Sequence, residues 1–488
     1  MEVFVRIENL NLKVKNRLIL ADLSWQIVKG EQWLLNGASG SGKTMLAKAI
    51  AGITHSGGHI KINYDTASKH PAAALYVPQW FQFKDKQGSA NFYFQQRFNS
   101  ADAENTITVW ESVHEYVTRI HRDVEQATAL LEVFNLWGRK DAPLIQLSSG
   151  EHKKLQLIKA LLYRPQLLIL DNPYTGLDVQ TRAVLNAELD RASAAGVTLL
   201  IVSNDAALPA CINKFAALVD GKLLCGDEPL HQEQTAQIDY VLPAFLKEQP
   251  ATPDETLVQL KAVNIRYGEK QILTNLTWRL DAGEKWLLKG HNGSGKSTLI
   301  SLLTGDNPQA YAQEIYLFGK RRGTGESIWD IKKQIGFISP ELQWYFEPGS
   351  TVFQAVASGL FDTTGLFRRL STQQTEQTNQ LLILFGLHKE ANDLLAQLPV
   401  GKQRLALLAR AIIKNPPLLI LDEPCQGLDE AQTRMFNDLV RMLCSAGRSL
   451  IYVNHFEHAL PDFLTHELIL KEGVAISNKP ILEKEYTA

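Results

Sequence analysis

Gly290–Ser297 reads GHNGSGKS, which fits the pattern G-x-x-x-x-G-K-[ST] of a phosphate-cradling loop. The apolar run Lys285–Leu288 before it is typical of a buried strand, and Thr298–Leu303 after it has the pattern of an amphipathic helix. A glycine-rich turn with a chance lysine is the alternative, but the flanking strand and helix favour the phosphate loop. The sequence therefore predicts a strand–loop–helix unit that binds phosphate.

The residue types of this loop explain how it would bind. Gly293 and Gly295 let backbone N–H groups turn inward around an anion. The N-terminus of the following helix adds partial positive charge. Lys296 is placed to reach the β- and γ-phosphates, and the Ser297 hydroxyl to ligate Mg²⁺.

The chain as a whole has the composition of an ordinary globular protein. Its 488 residues predict about two to four domains, and its net charge of −2 gives no basic field for nucleic acid. The four cysteines show no C-x-x-C spacing, which favours free thiols in a reducing compartment. Neither a signal peptide nor a transmembrane-length apolar run is found, so we expect a cytoplasmic protein.

The sequence repeats itself at a constant offset. Gly30–Leu35 matches Gly283–Leu288, and Gly37–Thr44, GASGSGKT, matches Gly290–Ser297. Each copy alternates strand, loop and helix, which predicts a duplicated α/β domain with much parallel sheet.

The stretch between the two copies has a different composition. From Gly226 to Thr256 there are seven acidic residues and one basic residue, with four prolines. It reads as a surface linker with one short helix near Ile238–Lys247. The predicted division is a first domain over 1–230, an acidic linker over 231–256 and a second domain over 257–488.

Late in each copy, a continuous apolar run ends in an acid. Leu167–Asp171 and Leu418–Asp422 are typical of strands covered on both faces. Because open α/β sheets bind ligands at the carboxyl ends of their strands, both aspartates are predicted to orient Mg²⁺. Glu423 follows directly and is predicted to polarise an attacking water.

These motifs resemble those of ATP-binding-cassette (ABC) nucleotide-binding domains, fused in tandem. Leu147–Glu151 (LSSGE) and Leu398–Lys402 (LPVGK) resemble the family signature, which faces the γ-phosphate bound on the other domain. The resemblance implies an α/β fold of two P-loop NTPase domains. Each would have a RecA-like core, an antiparallel β subdomain and a helical signature subdomain. It also implies ATP and Mg²⁺ as ligands and ATP hydrolysis as the activity.

Other positions match family motifs one at a time. His455 matches the switch histidine, and Asn204 stands there in the first copy. Gln79 matches the lid-coupling glutamine, which has no aligned counterpart in the second copy. Tyr267 matches the adenine-stacking aromatic, where the first copy has Val14.

The departures from the family pattern fall on one of two expected sites. Cassette domains pair head to tail, so each ATP is expected between one domain's phosphate loop and the other's signature. The site combining Gly290–Ser297 with Leu147–Glu151 lacks the coupling glutamine, unless Gln343 substitutes. The other site has Asn172 in place of Glu423, and an amide can position a water without accepting its proton. Slow or absent turnover is predicted there.

The predicted site residues form three groups. Those predicted for catalysis are Glu423, His455 and Lys296. Those predicted to bind nucleotide are Gly37, Gly40, Gly42, Lys43, Thr44, Gln79, Ser148, Gly150, Tyr267, Gly290, Asn292, Gly293, Gly295, Lys296, Ser297 and Thr298. Those predicted to hold the metal are Thr44, Asp171, Ser297 and Asp422.

Two functions fit this sequence. The first is an ATPase subunit, monomeric as a chain, that docks on an integral-membrane permease through helical insertions at Gln79–Leu147 and Glu341–Leu398. It would then be peripheral on the cytoplasmic face of the inner membrane. The stretch Phe318–Lys333 resembles a tandem subgroup associated by name with molybdate transport, which implies transport without demonstrating a substrate.

The second function is a soluble, ATP-dependent switch that clamps a macromolecular partner. Tandem cassette proteins that act on ribosomes have a long, helical, basic connector, whereas the connector here is short and acidic. No nucleic-acid partner is expected, because no basic patch supports one.

Overall fold

A computed structural model describes residues 2–14, 17–38, 40–79, 107–205, 207–219, 221–228, 241–248, 255–268, 270–291, 293–340, 342, 346–347, 349–426, 428, 430–454 and 460–481. The described residues up to 228 belong to one compact unit, and those from 241 belong to a second. Across these ranges, no helix has the length and apolarity needed to cross a bilayer.

The first unit contains two sheets. Its strands are β1 (Val3–Val14), β2 (Arg17–Val28), β3 (Trp33–Gly37), β4 (Gly57–Ile62), β5 (Ala74–Val77), β6 (Leu167–Asp171), β7 (Thr198–Val202), β8 (Lys214–Val219) and β9 (Lys222–Gly226). The larger sheet has the order β5-β6-β7-β3-β8-β9, parallel except for β9. The smaller, antiparallel sheet has the order β2-β1-β4.

Helices cover the larger sheet of the first unit. They are α1 (Lys43–Ile50), α2 (Val109–Arg119), α3 (Val124–Val133), α4 (Ser149–Tyr163) and α5 (Val179–Ala194). Four of them begin at a polar N-cap whose side chain accepts a backbone N–H of the first turn: Thr108, Asp123, Ser148 and Asp178.

The second unit repeats this architecture. Its strands are β10 (Thr256–Tyr267), β11 (Lys270–Asp281), β12 (Lys285–Lys289), β13 (Glu314–Leu317), β14 (Lys320–Arg321), β15 (Ile335–Ile338), β16 (Leu418–Asp422), β17 (Ser449–Val453), β18 (His466–Lys471) and β19 (Val474–Pro480). Its helices are α6 (Ala244–Lys247), α7 (Lys296–Leu303), α8 (Ile328–Lys332), α9 (Val352–Ala357), α10 (Thr372–Leu384), α11 (Val400–Ile412) and α12 (Glu430–Ser445). The sheets have the orders β15-β16-β17-β12-β18-β19 and β11-β10-β13-β14. The predicted duplicated α/β class is confirmed.

Both faces of the central strands are buried, as the continuous apolar runs predict. Along β6, Leu168 and Leu170 pack against the helical side, whereas Leu167 and Ile169 pack against the antiparallel sheet and α1. Strand β16 alternates in the same way. Each buried leucine or isoleucine contributes about 1.5–3 kcal/mol. Because β3, β7 and β6 are parallel neighbours, the loop after β3 and the acid at the end of β6 lie at the same sheet edge.

One helix of the predicted linker belongs to the core of the second unit. Leu246 in α6 is fully buried among side chains of α9–α12. The buried guanidinium of Arg448 donates to the Leu246 carbonyl at 2.9 Å, and the Asn415 amide donates to the Phe245 carbonyl at 3.1 Å. Of the short helix predicted near Ile238–Lys247, the structure has Ala244–Lys247, and residues 238–240 lie outside the described residues. The assignment of this helix to the surface is wrong at Leu246. The average composition of this segment is acidic and proline-rich, so it does not reveal Leu246, whose side chain is in the core and whose carbonyl accepts from buried Arg448.

Candidate nucleotide-binding sites

Each unit carries a glycine-rich loop between a strand and a helix, after β3 and after β12. The left-handed glycines of the second loop have φ values of 152°, 82° and 103° at Gly290, Gly293 and Gly295. Those of the first loop have 141°, 82° and 105° at Gly37, Gly40 and Gly42. Because these φ values match, the glycines of the two loops share one backbone conformation, which glycine adopts without a steric penalty. Asn292 lies outside the described residues.

The loop lysines point into their own loops. Lys296 Nζ donates to the carbonyls of Gly290 at 2.6 Å and His291 at 2.9 Å. Lys43 makes the matching pair of bonds, the shorter to Gly37 at 2.5 Å. Each ammonium is therefore held at the centre of the loop, where an incoming phosphate would meet it.

The structure brings the predicted metal-site pair of the first unit together. Asp171 is 1% exposed, accepts from the Tyr76 hydroxyl at 2.8 Å and is hydrogen-bonded to Thr44. Burial raises the pKa of this carboxyl, and those two hydrogen bonds, with the charges of Lys153 and Lys43, oppose the rise.

The residue after β6 takes part in a network of amides. Asn172 has a left-handed backbone, with a φ of 44°. Its Nδ2 donates to Gln79 Oε1 at 3.4 Å and to Asp171 Oδ1 at 3.3 Å. Gln79 Nε2 in turn donates to Thr175 Oγ1 at 3.5 Å. Neither amide can accept a proton from a water at neutral pH.

Asn204, at the switch position of the first unit, is bound to the phosphate loop. Its Oδ1 accepts from the Gly37 N–H at 3.2 Å, and its Nδ2 donates to the Gly37 carbonyl at 3.1 Å. The neighbouring Asp205 pairs with Arg182 at 2.6 Å, and that guanidinium donates to two carbonyls of the loop after β6. These polar contacts together connect the phosphate loop to the loop after β6. The counterpart, His455, lies outside the described residues.

In the second unit, Glu423 follows β16 with the same left-handed backbone, at a φ of 45°. Its N–H donates to the Val453 carbonyl at 3.0 Å. Its carboxylate Oε2 accepts from Gln426 Nε2 at 2.6 Å, a contact that sequence analysis missed. Arg404 is fully buried nearby. Burial lowers the pKa of that guanidinium to about 10, and the charge of Glu423 opposes the shift.

Tyr267 lies beside the first turn of α7. Its hydroxyl accepts from Asn307 Nδ2 at 2.8 Å and is hydrogen-bonded to Thr298. The half-buried ring packs against the hydrophobic core that both sheets of the second unit share with α7. Two predicted nucleotide-binding residues, Tyr267 and Thr298, are therefore in contact with each other.

The signature helix of the first unit is capped by its own carboxylate. Ser148 Oγ accepts from the Glu151 N–H at 3.3 Å, and Glu151 Oε2 accepts from the Ser148 N–H at 2.8 Å and its hydroxyl at 3.1 Å. Arg139 lies 3.3 Å from the same carboxylate, and Gly150 is buried in the first turn. The predicted anion site is thus occupied by a side chain of the same helix. In the second unit, Pro399 precedes α11 without a side-chain cap.

The side-chain oxygens of the predicted metal-site residues are suited to a hard cation that is bound together with a phosphate group. Within the described ranges, no cluster of three or more His, Cys, Asp or Glu side chains could hold a metal alone. Mg²⁺ binds through one or two protein oxygens and completes its shell with phosphate and water. Ser297 with Asp422, and Thr44 with Asp171, supply donors of that kind.

A family model described as ABC transporter matches residues 20–175 and 273–426, which span both phosphate loops and both acid-ending strands. The chain belongs to this family and carries two of its ATP-hydrolysing cassettes in tandem. The predicted family and activity are confirmed.

Relatives show the same tandem arrangement. The ABC transporter ATP-binding protein ModF of Escherichia coli is 34% identical over 455 residues, covering 90% of this chain and 91% of ModF. An uncharacterized ABC transporter ATP-binding protein of Schizosaccharomyces pombe is 29% identical over 488 residues, covering 97% and 99%. Among solved structures, a nucleotide-free ATP-binding cassette from an ABC transporter matches with a TM-score of 0.41 and 20% identity. That match covers 47% of this chain and 92% of the cassette.

Proposed function

We propose that this protein is an asymmetric ATPase subunit that energises or regulates a membrane transport system. Its two domains bind two MgATP in a head-to-tail sandwich and hydrolyse mainly at the site of Gly290–Ser297. One observation carries the proposal. At the same left-handed backbone position, with φ values of 45° and 44°, the second unit has Glu423 and the first has Asn172.

Different residues of the second unit would have different roles in ATP hydrolysis. Ser297 and Asp422 would hold Mg²⁺, which when bound neutralises charge on the β- and γ-phosphates. Lys296 would leave the loop carbonyls for the phosphate oxygens. Glu423 would orient a water and take its proton as the water oxygen attacks the γ-phosphorus and the β–γ bridging bond breaks.

The signature of the first unit would complete this site. Ser148 would exchange its bond to Glu151 for one to the γ-phosphate, together with the N-terminal N–H groups of α4. Arg139, 3.3 Å from Glu151, would keep the displaced carboxylate paired.

The transport role is supported by family membership and by the likeness to ModF. The molybdate association of the stretch Phe318–Lys333 gains no support from Arg322, the last residue of its basic run Lys320–Arg322. Arg322 is 2% exposed and pairs with Glu326 at 2.6 Å, so it is not part of a solvated anion-binding surface.

We expect the two bound nucleotides to have different fates. Rapid-quench analysis of protein loaded with radiolabelled ATP should give one ADP and one retained ATP per chain after a single turnover. Conversion of both at one rate, or binding of a single nucleotide, would refute the asymmetric sandwich.

We also expect a membrane partner. Affinity capture of the full chain from detergent-solubilised membranes should recover an integral-membrane protein in stoichiometric amount. The Glu423→Gln variant, in which ATP turnover should be lost, serves as the comparison. It should retain the same membrane partner, because its ATP cycle is arrested. Recovery only with ribosomes or nucleoid would instead support the switch on a macromolecular partner.

A further inference from the structure

The turn after β16 brings a second side chain onto Glu423. The Gln426 N–H donates to the Glu423 carbonyl at 3.1 Å, which closes a four-residue turn with Pro424 in its second position. The Gln426 side chain folds back across the turn, and its Nε2 donates to Glu423 Oε2 at 2.6 Å. We propose that Gln426 is a positioning residue that orients the Glu423 carboxylate for proton transfer from the attacking water. This inference rests on the proposed function of the second site.

The chemistry of the pair fixes the orientation of the amide. An ionised carboxylate only accepts hydrogen bonds, so the amide must present its N–H₂ group to it. Bonds to a charged acceptor are shorter and about twice as strong as neutral ones, and 2.6 Å fits that class. The amide oxygen of Gln426 is buried and finds no donor among the described residues. Among the described residues, the Gln426 side chain is therefore hydrogen-bonded to Glu423, and it does not link several structural elements.

In the first unit, the residue that corresponds to Glu423 is contacted by an amide from another part of the chain. Its turn after β6 has the same closure, with the Thr175 N–H donating to the Asn172 carbonyl at 3.3 Å. Thr175 stands where the second unit has Gln426, and the amide facing Asn172 comes from Gln79, after β5. In both units an amide side chain contacts the residue that follows the acid-ending strand.

This comparison assigns Gln426 a specific task. The aligned stretch of the second copy has no glutamine at the position of Gln79, and Glu341 and Gln343 lie outside the described residues. Gln426 supplies an amide to the second site from within the turn itself. Fixing one carboxylate oxygen restricts rotation of the group, so Glu423 keeps one orientation towards the water.

The test removes the donor while keeping the shape of the side chain. Gln426→Met has similar length without an N–H, and Gln426→Glu adds a repelling charge. Both should lower kcat by about 10- to 100-fold, because misplacement of a catalytic group has effects of that order. The dissociation constant for ATP and the thermal unfolding midpoint should stay at their wild-type values.

Gln380→Met is the matched control. Gln380 Nε2 donates to Glu376 Oε1 at 3.0 Å on the exposed face of α10, so it loses the same kind of bond away from the site. Its kcat should equal that of the wild type.

A double-mutant cycle separates this inference from the proposed function. In the Glu423→Gln background, Gln426→Met should cause no further loss of single-turnover cleavage, because the carboxylate it orients is gone. Additive losses, unchanged kcat in both Gln426 variants, or a raised kcat would overturn the positioning role while the proposed function stands. If Glu423→Gln itself leaves turnover unchanged, the proposed function fails first.

Discussion

Glu423→Gln is expected to lower ATP turnover by about 10²- to 10⁴-fold, the usual contribution of a general base. The substitution keeps the shape of the side chain and removes its ability to accept a proton. ATP affinity should be preserved, because the phosphate loop and Lys296 are unchanged. Steady-state phosphate release and equilibrium binding, measured on the same preparation, check the two halves of this expectation.

Asn172→Glu is the counterpart in the first unit. It restores a carboxylate where Asn204 still holds Gly37 through the oxygen and the nitrogen of its side-chain amide. In the proposed head-to-tail sandwich, Pro399 would supply no hydroxyl to this site. Turnover should therefore remain at the wild-type level. Equal rates for Glu423→Gln and the wild type would show that hydrolysis takes place elsewhere.

Gly290→Ala is expected to abolish ATP binding at the second phosphate loop. A Cβ there would lie 2.4 Å from the Leu470 carbonyl oxygen and 2.4 Å from Ser294 Oγ, at a φ of 152°. The carbonyl belongs to β18, beside the loop's own strand, so the backbone must move and the loop opens. Overlap of this kind costs about 1–3 kcal/mol, and the left-handed backbone adds roughly 1–2 kcal/mol.

Gly283→Ala separates these two costs. Gly283 has a φ of 84°, but a Cβ there meets nothing within 4 Å, so only the backbone term applies. Titration calorimetry with ATP and thermal unfolding should show a lower midpoint and normal binding for Gly283→Ala. If Gly290→Ala also binds ATP like the wild type, the close approach to Leu470 does not shape the loop.

Much of the fold was predictable because its signals are local. The glycines of Gly290–Ser297 are needed for backbone angles that other residues resist, and the run Leu418–Asp422 alternates between two buried faces. Trp33 and Trp286, in the apolar strands that precede the two phosphate loops, are 5% and 4% exposed. Such features follow from residue type and spacing alone.

The contacts missed by sequence reasoning depend on the path of the backbone. The bond from Gln426 to Glu423 needs a turn closed at 3.1 Å, and the pairing of Asn204 with Gly37 joins the segment after β7 to the end of β3, far away in sequence. The capping box of Ser148 and Glu151 is different, because the spacing S-x-x-E announces it. In this structure the Ser148 hydroxyl is a part of the helix cap, bonded to Glu151.

The pairing of Asn204 with Gly37 has a consequence for residence time. A loop already held in shape loses little conformational entropy when a ligand enters, so less of the binding energy is spent on ordering. A triphosphate in the first unit, next to Asn172 rather than a base, would leave slowly and be cleaved slowly. It would then act as a long-lived structural ligand whose occupancy stabilises its domain by mass action.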